Sequence, residues 1–89
     1  MTEKTSLLGK GAVRYIHYNT DAQRILTVLH QAGVPLTAKE LNEHIDMDAY
    51  RLAPILHKLY NYGAIHKNKS SSRAPRWTIN YALVTRGVI

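Results

Sequence analysis

Thr37-Ala38-Lys39-Glu40-Leu41-Asn42-Glu43-His44-Ile45-Asp46-Met47-Asp48-Ala49-Tyr50-Arg51-Leu52-Ala53-Pro54-Ile55-Leu56-His57-Lys58-Leu59-Tyr60-Asn61-Tyr62-Gly63 is the stretch whose reading decides the fold. Thr37 with Glu40 three residues on is a capping-box pattern, in which each side chain takes up a backbone N–H of the other's end. It opens a short helix over about residues 38–44, with Ala38, Leu41 and Ile45 as its buried stripe. Asp46-Met47-Asp48 reads as a turn that offers a fresh N-cap. A longer helix follows over about 48–61, with Leu52, Ile55, Leu56 and Leu59 at the i, i+3, i+4, i+7 spacing of one apolar face. Gly63 closes it in the manner of a C′ glycine. Pro54 conflicts with a helix interior, where proline costs about 3 kcal/mol. Either this helix starts near residues 51–53, placing Pro54 in a first turn that needs no N–H, or it bends there.

Upstream, Asn19, Thr20 and Asp21 are N-cap candidates for a helix over about 21–32, carried by Ala22, Ile25, Leu26 and Leu29 and ended by Gly33. Pro35 biases Val34 away from helix, so Val34-Pro35-Leu36 is extended and fits one short strand. Val13 to Tyr18 fits a strand or a helical turn, and its period does not choose. Downstream of Gly63 the period drops to two. Ile65 and Lys67 alternate with Ala64, His66 and Asn68, and Trp77 and Ile79 alternate with Arg76, Thr78 and Asn80, around a turn-like stretch at 69–74. This is a hairpin with a basic, serine-containing tip. The expected organisation is an N-terminal arm at 1–19, partly ordered, a domain at 20–80, and an apolar tail at 81–89 with no assigned place. The fold class is α+β.

The 89 residues suffice for one domain. The chain has six Tyr, one Trp and no Phe, which makes Trp77 a major packing element. It has no Cys, so neither a disulfide framework nor a thiolate metal site can form. No apolar run has membrane-span length and residues 1–10 lack a signal-peptide apolar region, so the expected setting is cytoplasmic or nucleoid-associated, with no membrane partner. The net charge of +6 is unevenly placed. All six acids lie at or before Asp48, whereas residues 49–89 hold seven bases and no acid. A one-signed half is the pattern of a surface that meets a polyanion.

The order of helix, short strand, short helix, turn, helix and basic hairpin resembles the winged helix-turn-helix superfamily of DNA-binding domains. The likeness covers about residues 20–80. It rests on Thr37-Ala38-Lys39-Glu40-Leu41, on Leu56-His57-Lys58-Leu59-Tyr60-Asn61-Tyr62-Gly63-Ala64-Ile65, and on Arg76-Trp77-Thr78-Ile79. The resemblance implies that the helix over 48–61 is a recognition helix and that residues 67–76 are the wing. Within the superfamily, the segment from Asp21 to Trp77 is also similar to Z-DNA-binding domains. Pro75 and Trp77 match that family's wing Pro and Trp, while Ala53 and His57 stand where it carries its Asn and Tyr. The reading therefore stays with right-handed duplex DNA.

A step of 100° per residue independently places Tyr50, Ala53, Pro54, His57 and Asn61 opposite the apolar stripe, flanked by Arg51 and Lys58. A major groove about 12 Å wide admits one helix. The candidate nucleic-acid-binding residues are Tyr50, Arg51, Pro54, His57, Lys58 and Asn61 on the helix, and Lys67, Lys69, Arg73 and Arg76 on the hairpin, where they would reach phosphates or the adjacent minor groove. The expected function is a duplex-DNA-binding transcriptional regulator. The alternative is a protein-interaction module or inhibitor of the same fold, favoured by Pro54 on the reading face and by the apolar tail. Structured RNA is a third partner class. The tail and residues 12–18 are candidate surfaces for a homodimer. The five histidines fall on different elements without metal-ligand spacing, Gly9-Lys10-Gly11 lacks the context of a phosphate loop, and Ser70 to Ser72 have no partner base. No catalytic residue, metal or cofactor is expected, and the chain is not read as an enzyme.

Overall fold

The computed structural model describes residues 8–68 and 74–89. Within them the chain is α+β, with five helices and a small antiparallel sheet. The helices are α1 (Ala12–His17), α2 (Thr20–Ala32), α3 (Ala38–His44), α4 (Ala49–Asn61) and α5 (Tyr81–Thr85). The strands are β1 (Leu36–Thr37), β2 (Ile65–Asn68) and β3 (Arg76–Ile79), in the spatial order β1-β3-β2.

Local chemistry explains the boundaries. Of the three candidates, Asn19 is the N-cap of α2; its side chain accepts from the Ala22 N–H at 3.0 Å. The capping box at α3 is formed in full, with the Glu40 N–H donating to Thr37 Oγ1 at 3.1 Å and the Thr37 N–H donating to Glu40 Oε1 at 2.9 Å. Asp48 caps α4 through the Tyr50 N–H. At the far end the Gly63 N–H reaches the Tyr60 carbonyl and the Ala64 N–H reaches that of Leu59, the paired bonds of a Schellman closure. That closure requires the left-handed backbone Gly63 adopts, φ 80°. It turns the chain directly into β2.

The core is one cluster. It joins Ile25, Leu26 and Leu29 of α2, Leu41 of α3, Leu52, Leu56 and Leu59 of α4, and Ile65, Trp77 and Ile79 of the sheet. Both flanks contribute to it: Ile16 of α1 is 1% exposed and Leu83 of α5 is 0% exposed. The ambiguous segment 13–18 is thus helical, and the tail carries a helix that seats one leucine. Among the described residues no helix is long and apolar enough to cross a membrane.

Three expectations are corrected. Ala38 is exposed, so the inward stripe of α3 is Leu41 continued by Ile45. Ile55 is half-buried at the edge of the core. Pro54 does not lie in a first turn, because α4 starts at Ala49 and runs on through it. Its missing N–H deprives the Tyr50 carbonyl of its i+4 donor, a loss that solvent can make good because Tyr50 is 88% exposed.

Candidate nucleic-acid interface

α3 and α4 pack against each other and against α2, so the outward side of α4 is the side left uncovered. Tyr50, Arg51, Ala53, Pro54, His57, Lys58 and Asn61 are all exposed there. The 100° reading of this face therefore holds residue by residue. Its two flanks differ. On the hairpin side, Ala53, Leu56 and His57 line a groove of about 700 Å³ with Ala38, Lys39 and Glu40 of α3 and with Lys67, Arg76 and Trp77 of the sheet. On the other side, Arg51 and Lys58 face the α1–α2 corner.

Ion pairing separates the cations further. Arg76 Nη1 donates to Glu40 Oε1 at 3.1 Å, the same oxygen that accepts from the Thr37 N–H. The backbone bond from Thr37, with Arg76 beside it, holds the Glu40 carboxyl below its usual range against a smaller opposing effect of burial. Arg76, opposite Asn68 at the tip end of the hairpin, is thereby tied to the first turn of α3, and that end of the hairpin shares one wall of the groove with α3. Arg51 Nη2 donates to Asp21 Oδ2 at 2.9 Å. Lys67 has a different setting: its Nζ lies 5.0 Å from the Tyr60 ring centroid and 5.7 Å from that of Trp77. The rings themselves meet edge to face at 5.8 Å. This aromatic seat orients the ammonium without cancelling its charge. Lys58 lies 5.9 Å from the Tyr15 ring centroid.

The structure therefore brings His57, Lys67 and Arg76 together around one groove and sets Arg51 and Lys58 on the opposite shoulder of α4. Tyr50, Pro54 and Asn61 stand along the crest between. Lys69 and Arg73 lie outside the described residues. Lys39 was missed by the reading of the sequence, although its place just after the Thr37 cap marked it as an exposed base on a helix start. Asn80 was missed as well. It is 1% exposed, its Nδ2 donates to the Gly63 carbonyl at 2.8 Å, and its Oδ1 caps α5 through the Ala82 N–H at 2.9 Å. It ties the end of α4, the root of β3 and α5 at one point. No family model, curated protein or solved structure matches the chain.

Proposed function

We propose that the protein is a winged helix-turn-helix domain that binds duplex DNA as a transcriptional regulator, with α4 entering the major groove and the β2–β3 hairpin serving as a wing on the phosphates. The observation that carries this reading is the outward face of α4. It is wholly exposed, it contains no acid, and the chain after Asp48 contributes none to its surroundings. Such a face adds no carboxylate of its own against a phosphate backbone, and its polar residues, His57 and Asn61 foremost, can address base edges. α3 braces α4 from behind, as the first helix of a helix-turn-helix does when it crosses the DNA backbone. Lys67 meets a phosphate from the wing, and Lys58 meets one from the opposite shoulder.

An anisotropy titration against random duplex DNA, single strands and RNA at two salt concentrations tests this. Neutralising about five phosphates gives a log–log salt slope near −4 to −5 for duplex DNA. His57→Ala should change preference among duplex sequences while leaving that slope in place, because a base contact specifies and a phosphate contact only positions. Absence of duplex binding at about 100 mM salt, with one stable protein partner recovered instead, would favour the second reading, a protein-docking module. The feature behind that alternative is the groove itself, whose largely apolar lining surrounds Glu40 and Glu43.

A further inference from the structure

A helix lying in a groove has a phosphate strand on each side of it, so cations on one flank alone would hold only one edge. The hairpin side has Lys67. On the other side the helix's own arginine is already committed, since Arg51 is paired with Asp21. What lies beyond it is the N-terminal segment. The Gly9 N–H donates to the Tyr62 carbonyl at 2.7 Å, and the Tyr15 and Tyr62 rings pack at a tilt of 36° with centroids 5.2 Å apart. Residues 8–15 are thus fastened to the C-terminal end of α4, and Lys58 reaches across the join to Tyr15. This segment presents Lys10, just before α1, and Arg14 within it, both exposed. Neither has an acidic partner among the described residues, and no acid occurs between Lys4 and Asp21.

We infer that Lys10 and Arg14 form, with Lys58, a second phosphate-binding edge of the DNA interface, on the strand across the groove from the one that Lys67 contacts. The inference rests on the duplex-binding reading above and adds the segment from Lys10 into α1 to it. The Tyr15–Tyr62 pair is the joint that keeps this edge at a fixed spacing from α4. Burial, with Tyr62 and Asp21 nearby, pushes the Tyr15 hydroxyl up, so it stays neutral and adds no negative charge to the edge.

The test is the salt dependence of duplex affinity for four full-length proteins: wild type, the Lys10→Gln/Arg14→Gln double variant, Lys67→Gln, and Arg24→Gln, a neutralised exposed base on the outer face of α2. Each phosphate contact contributes about 0.9 to the slope, so the double variant should flatten it by about 1.8, Lys67→Gln by about 0.9, and Arg24→Gln by nothing. Arg14→Lys, which keeps the charge, should return the slope of an otherwise wild-type chain. Circular dichroism confirms that each variant is folded. A double variant with the wild-type slope, while Lys67→Gln still flattens it, would overturn the α1 edge and leave the duplex-binding reading standing. A wild-type protein with no salt-dependent duplex binding would remove both.

Discussion

Replacing Asn80 by Ala should be among the most damaging single changes on the polar side of the fold. The side chain is fully buried and makes two bonds that no neighbour can replace, one to the Gly63 carbonyl and one from the Ala82 N–H. Losing an N-cap costs about 1 kcal/mol. Leaving a part-buried carbonyl such as that of Gly63 without a donor costs about 1–3 kcal/mol more. The expected loss is therefore about 2–4 kcal/mol against a total of roughly 4–13 kcal/mol for a chain of this length. At about 4–8 °C per kcal/mol for a small domain, the melting temperature should fall by about 8–32 °C. Asn80→Ser separates the two contributions, because a serine oxygen can still cap α5 but cannot reach Gly63; it should fall between wild type and Asn80→Ala. Differential scanning calorimetry of the three proteins reads the order directly. Asn80→Ala within about 4 °C of wild type, or Asn80→Ser equal to wild type, would refute the claim that this residue joins α4 to the hairpin root.

Pro54→Ala should stabilise the domain. It restores an N–H for the Tyr50 carbonyl at an exposed site; a gain of up to about 3 kcal/mol is offset by about 1 kcal/mol of entropy returned to the unfolded chain, and a melting temperature equal to or below wild type would contradict it. Glu40 should make stability depend on pH in a defined direction. Its folded carboxyl lies below the usual range, so its contribution is complete above that range and is lost as pH falls through the lowered value. The urea midpoint of Glu40→Gln should therefore trail wild type at neutral pH and approach it as pH falls below the ordinary carboxylate range, and a gap independent of pH would show that the carboxylate's charge plays no part.

The central part of the fold was legible because its signals are local. Thr37 with Glu40, the leucine stripe of α4 and Gly63 each act within one or two helical turns, and each ended up where its chemistry puts it. α1 and α5 were not legible in the same way. Six residues with only Ala12 and Ile16 buried fit a helix or a strand equally well, and five residues around a single buried Leu83 show no period at all. In α5 the signals were present but misassigned. Asn80 continued the alternation of β3 and was read as strand, although it is an N-cap residue by type. Gly87 closes α5 as Gly63 closes α4: its own N–H reaches the Val84 carbonyl and the Val88 N–H reaches that of Leu83. A cap counts as evidence for a helix only when a periodic stretch accompanies it, and a one-turn helix is too short to have one.

The exposed face of α4 could be drawn from the helical period alone, yet the distribution of usable charge over it could not. Arg51 meets an acid 30 residues away and Arg76 one 36 residues away, pairings that exist only after α2, α3 and the sheet have packed. Both acids come from the half of the chain that is acidic on balance, so the two halves neutralise one another at these points and the excess of seven bases after Asp48 overstates what a polyanion would meet. An ion pair exposed at the surface is weak, on the order of 0–1 kcal/mol, and a phosphate can compete for its arginine. That competition would make Arg51 and Arg76 conditional contacts, while Lys67 on its aromatic seat, Lys10 and Arg14 are available without any exchange. On the proposed reading, a DNA interface on this surface would be held first from its two outer edges, and Arg51 and Arg76 would join only as phosphate displaces Asp21 and Glu40.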